Sequence, residues 1–231
     1  ANQNVEFGGG ALPSLSLNAR RTMTTMCAEL SAEFATFEPD DVMLDYVRER
    51  NPAPFEAQYP DEDANYLARR TINLDKMEPL VALPDTVLEN SQKVGDVAGT
   101  HIDQAFIGSC ANGTLDDFAA AAVVLKGNKV ASNVRLLVTP GTQNIYLEAL
   151  RHGYIETLIE AGAVVTNATC GACGGGHLGV LAAGESCITA STRNFKGRMG
   201  DPDSKVYMGS PATVAASAIK GTIADPRDFV N

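Results

Sequence analysis

Ala105-Phe106-Ile107-Gly108-Ser109-Cys110-Ala111-Asn112-Gly113 passes from a short apolar run into a turn of small residues, and Leu115–Leu125 then takes up helical spacing. That is a strand feeding a helix through a loop that carries a cysteine. The same unit recurs downstream, at Val134–Thr139 into Gln143–His152 and at Tyr207–Ser210 into Ala212–Ala218, with a further strand at Ser186–Ser191. Strands alternating with helices predict an α/β fold built as a layered domain. We place this domain at about 96–231.

Upstream the pattern differs. The apolar spacing of Met23, Met26, Cys27, Leu30 and Phe34 predicts a helix from Leu17 to about Ala35. Glu38-Pro39-Asp40-Asp41 caps a second helix over Val42–Arg50. Prolines and acidic residues from Asn51 to Ala64 read as an exposed loop, followed by short strands at Thr71–Leu74 and Leu80–Leu83 and a linker over Glu89–Gly99. Residues 1–95 are thus expected to form part of a separate lobe.

The charge balance restricts the partners. Eighteen basic against twenty-eight acidic residues, a net charge of −10, disfavour a surface that neutralises phosphates, so nucleic acid is not an expected partner. No apolar run approaches the roughly 20 residues that span a bilayer, so no membrane partner is expected. The start, Ala1-Asn2-Gln3-Asn4, lacks the basic-then-apolar order of a signal peptide, and a cytoplasmic location is the expectation.

Five cysteines (27, 110, 170, 173 and 187) are an odd number with no export signal, which favours ligand or catalytic use over a disulfide framework. Three loops, each after a strand, hold the informative residues: 107–113, Thr169–His177 with its Cys170-Gly171-Ala172-Cys173, and Ser191–Arg198. Such loops are where α/β sheets bind ligands. A Cys-x-x-Cys pair among glycines can set two thiolates on a metal group, and Cys110, sixty positions upstream of Cys170, can reach the same crevice as a third. Three thiolates leave one iron of a cubane open as a Lewis acid. Cys110 equally suits a buried small apolar role, the expected one for Cys187 in its strand and Cys27 on its helix.

The glycine-rich loop admits two other readings. Gly174–Gly179 satisfies G-x-G-x-x-G, but no acidic strand end follows about 20 residues on, and a cysteine precedes it. A zinc site of Cys110, Cys170, Cys173 and His177 is a sharper rival, although such ligand pairs usually sit on short knuckles of small domains. Arg193, Lys196 and Arg198 put three positive charges in one loop, suited to holding a di- or tricarboxylate or else simply solvated.

At these residues the chain resembles the aconitase family, in particular the large subunits of 3-isopropylmalate dehydratase and homoaconitase. The likeness runs through Ser16-Leu17, Pro79–Pro84, the Gly-Ser-Cys loop, Pro140-Gly141-Thr142, the Cys-x-x-Cys loop and Arg193-Asn194-Phe195 to Arg198. It implies that Cys110, Cys170 and Cys173 hold a [4Fe–4S] cluster with Asn112 beside it. Its open iron would take a hydroxyl and a carboxylate of a small hydroxy-carboxylate substrate. The resemblance implies catalytic roles for Arg193 and Arg198 in the substrate shell and for Glu29 near the substrate oxygen. It also implies a lyase of amino-acid biosynthesis.

Departures are few. Thr25 and Thr192 stand where the family has asparagine, Ala111-Asn112 where Thr-Asn is usual, and Ala172 where proline is common. Relatives also carry an N-terminal domain with active-site histidines and an aspartate, and a swivelling domain, often a small subunit, with a serine base. Neither is recognisable here, so a fragment or split subunit is expected. The expected activity is reversible dehydration and rehydration of a hydroxy di- or tricarboxylate such as 3-isopropylmalate or homocitrate. The alternatives are a simple dehydratase of a substituted malate, a catalytically idle metal-binding module, or a nucleic-acid-binding relative.

Overall fold

The computed structural model describes residues 3–230. Ala1 and Asn2, in the N-terminal stretch read above, and Asn231, at the end of the second expected domain, lie outside the described residues. The chain forms two compact units, Ala1–Met77 and Glu78–Asn231.

The first unit pairs strand β1 (Gln3–Phe7) in parallel with β2 (Ala32–Phe37), in the register Phe7 to Phe37, whose rings stack at 4.8 Å. Helix α1 (Leu17–Met26) starts where the Ser16 hydroxyl accepts from the Ala19 N–H. The expected helix to Ala35 stops early. A 3-10 turn, Cys27–Leu30, closes on Ser31 at φ 56°, and the chain leaves as β2. Ala32-Glu33-Phe34-Ala35-Thr36-Phe37 carries two aromatics and a β-branched threonine, residue types enriched in strands. Phe34, expected on the apolar face of a helix, is exposed. Helix α2 (Asp41–Arg50) is capped by the Asp40 carboxylate, which accepts from Met43 N–H. Beyond it the chain has no strand up to residue 79, so Thr71–Leu74 is not the strand expected; its end joins a 3-10 turn, Leu74–Lys76. Tyr66 ties this stretch back to β1 by donating its hydroxyl to the Glu6 carboxylate.

The second unit is a seven-stranded sheet. In chain order it comprises β3 (Leu80–Ala82), β4 (Ser91–Lys93), α3 (Val94–Val97), β5 (Gln104–Gly108), α4 (Ser109–Asn112), α5 (Leu115–Leu125) and β6 (Arg135–Thr139). Then come α6 (Gln143–Arg151), α7 (Tyr154–Ala161), β7 (Val164–Val165), β8 (Ser186–Thr189), β9 (Lys205–Met208) and α8 (Pro211–Lys220). The strand order is β4-β3-β9-β8-β5-β6-β7, parallel from β9 to β7, with β3 and β4 added antiparallel. Residues 78–95, grouped with the first lobe on composition, therefore lie in the second unit.

Alternation along β5 and β6 sorts the core into two layers. Ala105, Ile107, Leu136 and Val138 pack with Phe118, Leu125, Leu158 and Val214 of α5, α7 and α8. Phe106 and Leu137 point the other way, onto Ala172, Cys173, Leu181, Cys187, Met199 and Val206. One face is thus covered by helices and the other by the glycine-rich loops. Among the described residues no helix is long and apolar enough to cross a membrane.

Candidate functional site at the strand-order reversal

After β5 the chain adds β6 and β7 on one side, then returns to add β8 and β9 on the other. The strand order reverses between β5 and β8, and the carboxyl ends of the strands at such a reversal are the usual ligand position of these sheets. All three predicted loops leave from this edge: 109–113 after β5, 166–185 between β7 and β8, and 190–198 after β8.

Cys110 sits in α4, one residue beyond a sharp bend. Gly108 has φ 140°, and a Cβ there would lie 2.1 Å from the Thr139 carbonyl oxygen, so only glycine lets the loop pass this close to β6. Ser109 follows at φ 77°, a left-handed conformation rare for serine. The bend presents Cys110 at the surface while Ser109 and Asn112 are buried. Asn112 Oδ1 has no hydrogen-bond partner among the described residues.

The Cys-x-x-Cys segment forms a 3-10 turn, Gly171–Gly174, lying beside α4 and the end of β6. Cys170 is exposed and Cys173 is buried. The following bend interlocks with the third loop: at Gly175, φ 64°, a Cβ would lie 2.8 Å from Gly200 N and 3.1 Å from the Arg198 carbonyl oxygen. Across this junction Arg198 Nη2 donates to Cys173 Sγ at 3.3 Å. The Arg198 guanidinium also lies 5.3 Å from the Phe195 ring centroid, and its Nε is buried without a partner among the described residues.

Asn194 anchors the third loop. Its Nδ2 donates to the carbonyl oxygens of Leu83 (2.7 Å) and Val206 (3.3 Å), tying the loop to β9 and the end of β3. Arg193 is held differently, with Nη1 donating to the carbonyl (2.9 Å) and hydroxyl (3.1 Å) of Thr192. Lys196 and His177 are exposed.

Cys110, Cys170, Cys173, Asn112, Arg193 and Arg198 are therefore brought to one edge of the second unit. Glu29 lies in the first unit, partly exposed in the turn Cys27–Leu30. Cys187 is fully buried in β8, where burial pushes its thiol up to about 12. Cys27 is buried too; burial raises its thiol, which lies 3.3 Å from the Met23 carbonyl oxygen. Among the described residues no three His, Cys, Asp or Glu side chains form a group able to hold a single metal ion. Sequence reading missed the Arg198–Cys173 contact and the anchoring role of Asn194, because both join residues distant in the chain; the only local signal was the density of polar residues in 191–198.

The family model described as "Aconitase family (aconitate hydratase)" matches residues 1–94 and 85–221. The chain is 52% identical over 229 residues to the "3-isopropylmalate dehydratase large subunit" of Mycolicibacterium smegmatis, covering 99% of this chain and 54% of that protein. It is 46% identical to the "Probable methanogen homoaconitase large subunit" of Methanothermobacter thermautotrophicus, covering 97% of this chain and 52% of the relative. The "3-isopropylmalate dehydratase large subunit" of a Sulfurihydrogenibium species is also 46% identical, over 96% of this chain and 51% of its own length. The chain thus spans about half the length of the curated relatives it matches.

Proposed function

The chain belongs to the aconitase family, and from that premise we propose that it carries the cluster-binding half of a hydro-lyase acting on a hydroxy di- or tricarboxylate. The reading rests on one observation above all: α4, with Cys110, lies beside the turn that holds Cys173, at the reversal of strand order. Cys110, Cys170 and Cys173 would hold a [4Fe–4S] cluster, one thiolate to each of three irons. The polar atoms around the thiols suit such a group. Arg198 already donates to one sulfur, and the buried Asn112 Oδ1, two residues beyond Cys110, has no partner among the described residues.

When bound, the cluster supplies a Lewis acid at its thiolate-free iron. Arg193 and Arg198, with Lys196 beside them in the loop after β8, would hold carboxylates of the substrate. Glu29 would assist at the departing hydroxyl oxygen, the role that the family resemblance implies for it. The base for the carbon-bound proton comes from another part of the enzyme: a small subunit, as the relatives' designation "large subunit" suggests, or the length of the relatives that this chain does not span. 3-Isopropylmalate is the first substrate to test and homocitrate the second, in line with the names of the relatives.

The test is anaerobic reconstitution followed by metal and sulfide analysis. Uptake of about four irons and four sulfides per chain is expected, lost in Cys110→Ser, Cys170→Ser and Cys173→Ser. Cys187→Ala should keep the cluster and cost only packing, on the order of 1 kcal/mol. Stoichiometric zinc without sulfide would sink the proposal.

A further inference from the structure

We propose that the β1–β2 pair and the segment 51–77 of the first unit form a docking surface, and that its occupant is the length of the large subunit that this chain does not span. This rests on the reading of the chain as part of a longer hydro-lyase subunit. The apolar side chains of the first unit are mostly uncovered. Only Leu12, Cys27 and Phe37 among them are buried in the described residues; α1 buries Arg20 alone, and α2 buries nothing. Phe34 of β2 is 68% exposed, Ile72 67% and Leu67 85%. Single exposed apolar residues are ordinary, but a unit in which so few are covered lacks the layer that would complete its core.

The backbone is unfinished in the same way. β1 pairs in parallel with β2, and among the described residues neither strand has a second partner. Parallel sheets bury both faces and extend over several strands, so a lone parallel pair offers its outer edges as templates for another strand. Between Pro52 and Ile72 there is no helix or strand, and among the described residues backbone N–H bonds are made only by Ala53, to Asn51 Oδ1, and by Ala64, to the Asp61 carbonyl oxygen. The segment is nonetheless pinned beside β1. Tyr66 donates its hydroxyl to the Glu6 carboxylate, and the Arg69 guanidinium lies 4.2 Å from the Tyr66 ring centroid.

Length argues for the occupant. The chain spans 54% and 52% of two relatives named as large subunits, and the family model matches the whole first unit, residues 1–94. In those relatives the matching unit therefore belongs to a polypeptide with nearly as much chain again. A second copy of this chain suits the surface less well. Two-fold pairing would join like edges, β1 to β1 or β2 to β2, and leave the other edge of each copy open.

The test co-produces the 231-residue chain with the part of the 52%-identical dehydratase large subunit that it does not match. Light scattering reads the mass, and hydrogen exchange reads which segments are covered. A one-to-one complex is expected, with amide exchange slowed on the order of tenfold or more in β1, β2 and 51–77 and unchanged in β5 and β6. Phe34→Asp and Leu67→Asp should each weaken it by about 10- to 100-fold, whereas Leu150→Asp, on a residue 54% exposed on α6 of the second unit, should leave it unchanged. Circular dichroism checks the fold of each variant; should Phe34→Asp misfold, Leu67→Asp, outside every helix and strand, carries the comparison. Absence of a complex, protection confined to the second unit, or equal weakening by Leu150→Asp would overturn the proposal. So would a chain that dimerises alone and becomes monomeric in Phe34→Asp, in favour of a second copy as occupant. Iron and sulfide uptake, measured on the same complex, is a separate readout: its failure in a complex that forms as expected removes the cluster reading and leaves the docking surface standing.

Discussion

Arg20 lays both terminal nitrogens of its guanidinium on both carboxylate oxygens of Asp40, at 2.7 and 2.6 Å, inside the first unit. Arg20 also donates to the carbonyl oxygens of Leu12 and Leu15, and Asp40 caps α2. One ion pair thereby joins the start of α1, the end of β2 and the start of α2. The guanidinium is almost fully buried, with the Phe37 ring 5.7 Å away.

Removing one member leaves the other charged, buried and short of partners. Arg20→Ala should cost about 3–5 kcal/mol in denaturant unfolding of the first unit, and Arg20→Lys should recover little, since an ammonium cannot make the planar two-point contact. The Arg20 hydrogen bond holds the Asp40 carboxyl below its ordinary value, and the same pair raises Arg20. A carboxylate depressed on folding contributes stability that is full above its unfolded pKa and lost as pH falls through its folded one. Acidification should therefore weaken the first unit, and Arg20→Ala should flatten that part of the profile.

Gly108→Ala tests whether the bend after β5 places Cys110. The added carbon would meet the Thr139 backbone at 2.1 Å, where nothing flexible can yield, at φ 140°. The variant should lose more than about 2 kcal/mol of stability and bind iron poorly if it folds. Gly153→Ala is the matched control. Gly153 also has positive φ, but nothing lies within 4 Å of its added carbon, so only about 1 kcal/mol and no iron should be lost. Equal iron binding in the two variants, measured with their melting curves, would separate the bend from the site.

The strand-then-helix units were legible because their boundaries are written locally. The Thr114 hydroxyl and Asp117 carboxylate form a reciprocal cap on α5, and Ser210 caps α8 just ahead of Pro211. The loops that bear Cys110 and the Cys-x-x-Cys pair were recognisable for the same reason, each following an apolar strand. β2 was misread as helix because Phe34 continues the spacing of Met26 and Leu30, and its strand partner β1 lies about thirty residues earlier in the chain. The left-handed Ser31 that ends the turn carries no composition signal comparable to a glycine. The resemblance implies a place for Arg198 in the substrate shell; its contact with Cys173 depends on the interlocking of two loops that only the folded sheet brings together.

Asp117 provides a second pH signature, opposite in sign to that of Asp40. Burial pushes its carboxyl up to about 6, against two hydrogen bonds from Thr114 that pull it down. A group raised on folding contributes stability that is full below its unfolded pKa and lost as pH rises through its folded one. Between about pH 4 and 6 the second unit should therefore lose stability from this group as pH rises, by at most about 3 kcal/mol for a two-unit shift. Asp117→Asn keeps an acceptor for Thr114 and should remove the dependence. A carboxyl carbon titration by NMR that inflects near 4 would refute it.

Elimination of water across a carbon–carbon bond needs help at the departing hydroxyl and a base at the carbon-bound proton. The residues assigned above cover the first need and the carboxylates: Glu29 for the hydroxyl oxygen, Arg193, Arg198 and Lys196 for charge. None of them is assigned to the second. In the reading proposed above, the base lies in a small subunit or in the length of the relatives that this chain does not span. The 231-residue chain with cluster reconstituted should bind 3-isopropylmalate weakly and form no unsaturated acid, as followed by ultraviolet absorbance, with homocitrate, citrate and citramalate behaving alike. Adding the small subunit and the remaining part of the large one should restore turnover, with product analysis separating an isomerase from a simple dehydratase of a substituted malate. Arg193→Gln should then raise KM by about one to two orders of magnitude, the loss of a charge-assisted hydrogen bond worth about 1.5–3 kcal/mol. Turnover by the 231 residues alone, abolished by Cys173→Ser, would show that a base lies within this chain and that the division of labour proposed here is wrong.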